Sequence, residues 1–254
     1  MGSYKTVVIT GGAMGIGYHI AVKYLEKGAK IVVILDINAI EGIKSMGALN
    51  TKYGDGKAVF IKCDVTKDLE DVSLKIFKEY KQVDVLVNNA GITSEKSVRN
   101  IMEINVIALV EWSMKFFEHM RKDKGGVGGT IINMGSAYSY IVDPYLAFYK
   151  TSKHAVMGFT RTFGHQDNYQ RFGVRAIVLC PGFTNTPLGT NIHYWEEHKD
   201  LFPEFCKSQP LQEADVVGEA AVKIFENGES GSAWKLFDGN LEELPIQPFQ
   251  LEYY

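Results

Sequence analysis

Tyr149 and Lys153 are spaced so that they could transfer a proton together. They lie four residues apart in a helical segment, so their side chains share one face of the helix. A free tyrosine has a pKa of about 10 and is a poor base at neutral pH. Because an ammonium group one turn away favours the phenolate, we expect Lys153 to lower the pKa of Tyr149. Taken singly, a helical tyrosine and lysine are also typical of an ordinary surface.

A glycine-rich turn near the N-terminus could bind a pyrophosphate. The pattern T-G-x-x-x-G-x-G runs from Thr10 to Gly17, between the first predicted strand and the first predicted helix. Glycines allow a tight turn and a close approach of the backbone to a phosphate, and the helix N-terminus offers free N–H groups. Such turns also occur for steric reasons alone, but this position favours a dinucleotide site.

An acid at the end of the second predicted strand favours NAD over NADP. Asp36 follows Gly17 by 19 residues, where a carboxylate can accept hydrogen bonds from ribose hydroxyls. The same charge would repel the 2′-phosphate of NADP, and Ile37, not an arginine, comes next. An ordinary strand-end acid is the alternative. The glycine turn at the right distance favours the dinucleotide interpretation.

Short apolar runs alternate with longer helical segments and must position these residues. Most of the runs are too apolar to have one face in water, which is typical of parallel strands covered on both sides. The alternation predicts a single domain over residues 1–254: a doubly wound, parallel, seven-stranded sheet with helices on both faces, as in a Rossmann fold. The seven predicted strands are residues 6–9, 30–35, 58–61, 83–87, 129–134, 174–179 and 232–237.

Two segments fall outside this alternation. Residues 187–212 are rich in aromatic residues, and we expect them to form a substrate loop because long loops at the carboxyl edge of such a sheet usually shape a ligand site. Residues 239–254 form a predicted C-terminal tail that contains Pro245 and Pro248. The prolines keep the tail extended, so its apolar residues must lie against a part that is already folded.

The composition excludes several classes of protein. The 254 residues are 46% hydrophobic, and 27 Lys and Arg against 30 Asp and Glu give a net charge of -3. We therefore expect neither a nucleic-acid partner nor a membrane partner. Cys63, Cys180 and Cys206 are too scattered for a disulfide framework or a zinc site, and the six histidines show no metal-ligand pattern. An odd number of thiols predicts a reducing compartment, and we expect the cytoplasm.

The motifs together resemble the short-chain dehydrogenase/reductase family. They are the glycine turn, Asn88-Asn89-Ala90-Gly91, Ser136 after the fifth predicted strand, Tyr149-x-x-x-Lys153, and Pro181-Gly182. The resemblance covers nearly the whole chain, with every motif in the expected order. Within the family, residues 124–133, 181–186 and 234–236 resemble the insect alcohol dehydrogenases and the animal 15-hydroxyprostaglandin dehydrogenases.

The resemblance implies a catalytic tetrad. Ser136 would hold the substrate oxygen, and Tyr149 would act as the general acid and base. Lys153 would lower the pKa of the tyrosine and bind the nicotinamide ribose. Asn105 would hold a water molecule that links Lys153 to solvent.

The resemblance also implies the residues of the cofactor and substrate sites. Asp64 would meet the adenine amino group, and Thr186 would meet the nicotinamide carboxamide. The expected cofactor-binding residues are Gly11, Met14, Gly15, Ile16, Gly17, Asp36, Ile37, Asp64, Val65, Asn89, Ala90, Gly91, Tyr149, Lys153, Pro181, Gly182, Thr184 and Thr186. The expected substrate-binding residues are Ser136, Tyr138, Tyr149, Phe183, Leu188, Tyr194 and Trp195.

These expectations favour an enzyme that transfers a hydride between a hydrophobic alcohol, such as a lipid or a terpenoid, and NAD. A carbonyl reductase that uses NADH and a 15-hydroxyprostaglandin dehydrogenase remain open alternatives. So does a dinucleotide-binding regulator without turnover, although the complete tetrad favours an enzyme. The family resemblance further implies a homodimer or a tetramer, paired through helices of about 97–122 and 146–168. Apolar residues there that could be buried in the interface are Ile104, Ile107, Trp112, Phe116 and Phe117.

Overall fold

A mostly parallel sheet forms the centre of the computed structural model, which describes residues 5–190 and 192–245. In this part of the chain, eight strands pair in the order β10-β9-β6-β5-β4-β1-β2-β3, and β7 pairs with β8 separately. The strands are β1 (Thr6–Thr10), β2 (Ile31–Asp36), β3 (Ala58–Lys62), β4 (Val85–Asn88), β5 (Gly129–Met134), β6 (Val174–Pro181), β7 (Thr184–Asn185), β8 (Gln212–Glu213), β9 (Ala233–Phe237) and β10 (Asn240–Leu244).

The predicted fold class is confirmed, but the predicted number of strands is corrected from seven to eight for the described residues. The additional strand is β10, which pairs antiparallel with β9, whereas the other neighbours in this sheet are parallel. β10 belongs to the segment predicted as an extended tail. The extended backbone of β10 is hydrogen-bonded to β9. The sequence of the tail by itself does not reveal this partner.

Helices cover both faces of the sheet. They are α1 (Gly15–Glu26), α2 (Ala39–Tyr53), α3 (Leu69–Tyr80), α4 (Val98–Met102), α5 (Leu109–Met120), α6 (Ala147–Phe163), α7 (Gln166–Phe172), α8 (Pro187–Thr190), α9 (Leu201–Ser208) and α10 (Ala214–Asn227). Because consecutive strand residues point to opposite faces, Val7 and Ile9 pack with α1 and α10, while Val8 packs with α3 and α5. These strand residues are completely buried.

A π-helical turn at Glu103–Ala108 joins α4 to α5, so that the chain is helical from Val98 to Met120. Trp112, Phe116 and Phe117 on this helix are buried within their own subunit, against residues of the sheet and of α3. They were expected to be buried by a partner subunit, and that expectation is corrected. Ile107 remains 44% exposed.

β3 forms one edge of the sheet, and its first residue is paired by a side chain. The Asn50 Nδ2 donates to the Ala58 carbonyl oxygen at 3.0 Å, and the Ala58 N–H donates to the Asn50 Oδ1 at 2.7 Å. The side-chain amide thus satisfies both backbone groups of Ala58, as a neighbouring strand would do.

The last described residues pack against the end of α6. Leu244 of β10 belongs to an apolar cluster with Val156 and Val178, and the Arg161 Nη2 donates to the Pro245 carbonyl oxygen at 3.1 Å. The rest of the predicted tail, residues 246–254, lies outside the described residues. In the described ranges, no helix combines the length and the apolar character needed to cross a membrane.

Candidate active site

Within the described residues, two adjoining cavities lie over the carboxyl ends of the parallel strands. The glycine-turn cavity, about 440 Å³, is lined by the loops that follow β1, β2, β3 and β4. The tyrosine cavity, about 280 Å³, lies where β5, β6 and the start of α6 meet. Ile16, Asn89, Thr186 and Leu188 line both, so the two cavities share a wall.

The glycine turn places Gly11 and Gly15, which have no side chains, at the wall of the glycine-turn cavity. Gly11 and Gly15 have φ angles of 62° and 54°, a region in which side chains are strained. A Cβ atom on Gly17 would lie 2.2 Å from the Gly11 carbonyl oxygen, so Gly17 is needed for packing within the turn. Gly17 itself does not line this cavity. The turn therefore leaves room for a ligand beside the start of α1.

Asp36 is fixed at the wall of the same cavity by backbone donors. Its Oδ2 accepts a hydrogen bond from the Ala13 N–H at 3.0 Å, and its Oδ1 accepts one from the Asn38 N–H at 2.9 Å. Asp64 also lines the cavity, and hydrogen bonds from Lys67 and Thr66 hold the pKa of its carboxyl below its usual value. The part of the cavity wall that Asp36 and Asp64 form is therefore acidic.

Asn89 and Thr10 join the glycine turn to the loop after β4. The Asn89 Nδ2 donates to the Gly11 carbonyl oxygen at 2.8 Å and to the Thr10 carbonyl oxygen at 3.2 Å. The Thr10 Oγ1 accepts hydrogen bonds from the N–H groups of Asn89 and Ala90, both at 3.1 Å. These bonds fix the two loops relative to each other before any ligand binds.

Tyr149 is buried where the tyrosine cavity meets the end of β5. Burial raises its pKa above the usual value, and side-chain hydrogen bonds with Ser136 and Thr93 oppose that rise without cancelling it. The expectation of a lowered pKa for Tyr149 is therefore wrong, because burial of the phenol outweighs the groups that favour the phenolate. The Lys153 Nζ lies 5.6 Å from the centroid of the tyrosine ring and donates to the Met134 carbonyl oxygen at 2.8 Å.

Lys153 shares the burial of Tyr149. Loss of water around the ammonium lowers the pKa of Lys153 to about 8. Burial thus shifts both members of the pair toward their uncharged forms, which places a phenol and a weakly basic amine one helical turn apart.

Ser139 fixes Ser136 against α6. The Ser136 N–H donates to the Ser139 Oγ at 3.1 Å, and the Ser139 Oγ donates to the Lys153 carbonyl oxygen at 2.9 Å. The Tyr138 N–H donates to the Ser136 Oγ at 3.2 Å. A short 3-10 turn at Ala137–Ser139 makes this arrangement possible because it reverses the chain directly after β5.

The chain matches the short chain dehydrogenase family over residues 5–197. It belongs to the short-chain dehydrogenase family. It is 32% identical over 231 residues to 15-hydroxyprostaglandin dehydrogenase [NAD(+)] of Mus musculus, covering 88% of this chain and 86% of the relative. It is also 32% identical over 258 residues to Alcohol dehydrogenase 2 of Ceratitis capitata, covering 99% of each. A crystal structure of 3-ketoacyl-(acyl-carrier-protein) reductase from Brucella melitensis complexed with NADH is similar, with a TM-score of 0.78 and 25% identity over 93% of this chain and 98% of that one.

The structure of this short-chain dehydrogenase brings most of the expected cofactor residues to the two cavities. Of the expected cofactor residues, Gly17 lines neither cavity, and the expected catalytic residue Asn105 lines neither of them either. The tyrosine cavity is lined by Tyr149, Lys153, Pro181, Gly182, Thr184 and Thr186. The glycine-turn cavity is lined by Gly11, Met14, Gly15, Ile16, Asp36, Ile37, Asp64, Val65, Asn89, Ala90 and Gly91, and also by Thr186.

Asn105 is buried on the π-helical turn. Its Oδ1 accepts from the Ile92 N–H at 2.8 Å, and its Nδ2 donates to the Ile92 carbonyl oxygen at 2.9 Å and to the Ser152 Oγ at 3.0 Å. A π turn adds a residue to the helix and changes the direction of the side chains that follow. The amide thereby connects the loop after β4 to the residue beside Lys153, and the water-holding role that the family implies stays a prediction.

The expected substrate residues separate into two groups. Ser136, Tyr138, Phe183 and Leu188 line the tyrosine cavity together with Tyr149. Tyr194 and Trp195 do not line it. Tyr194 packs on Phe202, with ring centroids 4.9 Å apart, and Trp195 packs on Phe148 at 5.8 Å. The Tyr194 ring joins an apolar cluster with Phe202 and Phe205, whereas Trp195 is 40% exposed.

Two polar residues near Tyr149 were not predicted from the sequence. Thr93 lines the tyrosine cavity, and the Glu95 carboxylate accepts hydrogen bonds from the start of α6. Thr93 and Glu95 lie shortly after the Asn-Asn-Ala-Gly motif. This proximity is the sequence feature that could have identified them as residues of the site. The apolar lining residues Leu146 and Leu211 were not predicted either. Among the described residues, no cluster of three or more His, Cys, Asp or Glu side chains could hold a metal ion.

Proposed function

We propose that this short-chain dehydrogenase oxidises a hydrophobic alcohol with NAD. The observation that carries the proposal is a buried tyrosine that lines a mainly apolar cavity together with Ser136, next to a second, glycine-lined cavity. A protein that only bound a dinucleotide would need the second of these features but not the first.

The glycine-turn cavity fits NAD in shape and charge. The backbone from Gly11 to Gly15 would approach the pyrophosphate, and Asp36 would accept hydrogen bonds from the adenosine ribose. Lys153 and Thr186 would hold the nicotinamide end, close to the shared wall. When bound, NAD accepts a hydride at C4 of its nicotinamide. The name of the mouse relative, which specifies NAD(+), supports NAD rather than NADP.

The residues of the tyrosine cavity would handle the proton that an alcohol loses on oxidation. Ser136 would orient the substrate hydroxyl, and Tyr149 as phenolate would accept its proton. Below about pH 8, where Lys153 is protonated, its charge would favour that phenolate. Only deprotonated Tyr149 can accept the proton, and the pKa of Tyr149 is raised by burial. The rate of alcohol oxidation should therefore increase from neutral to alkaline pH.

The lining of the tyrosine cavity favours a hydrophobic substrate. Leu146, Phe183, Ile192 and Leu211 surround the few polar groups near Tyr149. Glu196, Glu197 and Asp200 lie on the loop that borders this cavity, so their charge would disfavour a carboxylate substrate. We therefore propose a neutral lipid or terpenoid alcohol. A prostaglandin is the second candidate, because it is the substrate that the mouse relative's name gives for that protein.

A screen of primary and secondary alcohols with NAD, followed by the absorbance of the reduced cofactor, tests the proposal. The panel should include a terpenoid alcohol, a sterol, a prostaglandin and an uncharged ester of that prostaglandin. Y149F is the matched control because it removes the hydroxyl and keeps the ring. Its turnover should fall by about 10²–10⁴-fold with NAD binding retained.

A Y149F enzyme with normal turnover would contradict the assignment of Tyr149. If the wild-type protein binds NAD and oxidises none of the alcohols, the corresponding ketones and aldehydes are tested with NADH. This second panel tests the reductase alternative. If neither the alcohols nor the carbonyl compounds react, the result favours a dinucleotide-binding regulator without turnover. The single domain, the homodimer or tetramer and the cytoplasmic location remain predictions.

A further inference from the structure

The helix that carries Tyr149 begins without a cap of its own. α6 starts at Ala147, and the preceding Leu146 has a left-handed backbone with a φ of 55° and an apolar side chain that accepts no hydrogen bond. The first N–H groups of a helix have no partner inside the helix and must find one elsewhere. Tyr149 is the third residue of α6, so its own N–H is one of these groups.

Glu95 supplies the missing partner from a distant part of the chain. Both of its carboxylate oxygens accept hydrogen bonds from the Phe148 N–H at 3.0 Å, and its Oε1 also accepts one from the Tyr149 N–H at 3.0 Å. The residue is only 7% exposed. A carboxylate at this end of a helix also interacts favourably with the helix dipole.

The segment around Glu95 contacts the site at several further points. Thr93 lines the tyrosine cavity together with Tyr149, and Ile92 is held by Asn105 through its N–H and its carbonyl. The Glu95 N–H donates to the His193 carbonyl oxygen at 2.9 Å, beside Ile192 in the wall of the tyrosine cavity. The side chain of Glu95 thus holds the helix, while its backbone holds the substrate loop.

We propose that Glu95 is a positioning residue for Tyr149, acting through the backbone of the first turn of α6. The proposal rests on the proposed function, in which Tyr149 must meet the substrate oxygen. A displacement of about 1 Å at a reacting group can reduce a rate by on the order of 100-fold. Because the bond to His193 uses the backbone of Glu95, a side-chain substitution leaves that link to the substrate loop in place.

The variants E95A and E95Q test this role, and S97A is the matched control. The Ser97 Oγ accepts a hydrogen bond from the Asn100 N–H at 3.3 Å and caps α4, so S97A also removes a helix cap two residues away. Hydrogen–deuterium exchange of peptides covering residues 146–153 reports on the first turn of α6 and does not depend on any turnover. We expect exchange there to be fastest in E95A, intermediate in E95Q, which keeps one acceptor oxygen, and unchanged in S97A.

Steady-state kinetics supply the second readout, with an alcohol that the wild-type protein oxidises. The kcat of E95A should fall on the order of 100-fold, and that of E95Q by less, with the KM for NAD unchanged in both. The proposal is overturned if exchange at residues 146–153 is as slow in E95A as in the wild type. It is also overturned if S97A loses as much kcat as E95A. If no alcohol is oxidised, the proposed function fails, whereas the exchange experiment still decides whether Glu95 holds α6.

Discussion

The two oxygens of Asp36 accept from different backbone donors, so D36N removes the charge and keeps an acceptor oxygen for one of the two donors. We expect D36N to raise kcat/KM for NADP relative to NAD by about tenfold or more. The reason is that repulsion between two unit charges 4 Å apart near a protein surface is worth about 1–4 kcal/mol. Steady-state kinetics with both cofactors give the ratio. D36A is the harsher comparison, because it also leaves both backbone donors unpaired. A wild-type preference for NADP would contradict our interpretation of Asp36.

The buried ammonium of Lys153 makes the stability of the protein depend on pH. Its pKa falls from the usual 10.5 to about 8. Below about pH 8 the folded and unfolded chains both carry the proton, and the folded chain bears the cost of burying the charge. Between the two pKa values only the unfolded lysine stays protonated, so this cost disappears as the pH rises. Since one pKa unit corresponds to about 1.4 kcal/mol, the whole change is about 3 kcal/mol.

K153M should remove this pH dependence, because methionine keeps an unbranched side chain of similar length without a charge. We expect the free energy of unfolding of the wild type, relative to K153M, to rise by about 3 kcal/mol from pH 7 to pH 10.5. Denaturant unfolding at the two pH values measures it. K62M, at an exposed lysine of β3, is the control. A difference between wild type and K153M that stays constant with pH would contradict the prediction.

At the residue scale, the sequence was informative where chemistry and local spacing coincide. Tyr149, Lys153 and Asp36 could be assigned to a helix face or a strand end because each depends on neighbours a few positions away. Thr93 and Glu95 could not be assigned, because their partner Tyr149 lies more than fifty residues along the chain and meets them only after the sheet has formed. The raised pKa of Tyr149 was missed for a similar reason, since spacing carries no information on burial.

At the element scale, apolar runs predicted the parallel strands well because both faces of those strands are covered. β10 was missed because three of its five residues are exposed, none is fully buried, and its sequence offers no continuous apolar run. Residues 187–212, predicted as a loop, contain α8 and α9, and their role in substrate binding stays a prediction. The aromatic residues of this segment did not reveal the direction of their side chains. Tyr194 stacks on α9, whereas Leu188 and Ile192 reach the tyrosine cavity.

The C-terminal tail provides a test at this scale. We expect deletion of residues 245–254 to raise the KM for the alcohol and to weaken self-association, while the affinity for NAD is unchanged. β10 remains in the shortened protein, and its Leu244 still packs near α6, so the sheet should keep its edge. Steady-state kinetics and a titration with NAD make the comparison. An unchanged KM together with a lower melting temperature would assign the tail a purely structural role.

At the scale of the whole molecule, we expect a homodimer or a tetramer built from dimers. Most of the large apolar residues of α5 are used inside the subunit, which leaves Ile107 at 44% and Met114 at 40% exposure on the same long helix. An isologous contact between two copies of this helix would cover them. Light scattering at micromolar concentration should give at least twice the mass of the chain, and I107E should reduce it. K75E, on α3 and outside the expected contact, is the charge control. A wild-type monomer would contradict the prediction.

The pairing of Asn50 with Ala58 affects how molecules of this protein can meet. The exposed edge of a sheet is a template for strands of other chains, and proteins suppress such growth to avoid aggregation. At the start of β3 the Asn50 amide already occupies both backbone groups that an incoming strand would use. At the opposite edge, β10 carries two exposed charged side chains, Glu243 and Glu242, of which Glu242 pairs with Lys235 of β9 at 2.9 Å. Sheet-to-sheet extension is thus disfavoured at both of these strands, which leaves the helical faces for association.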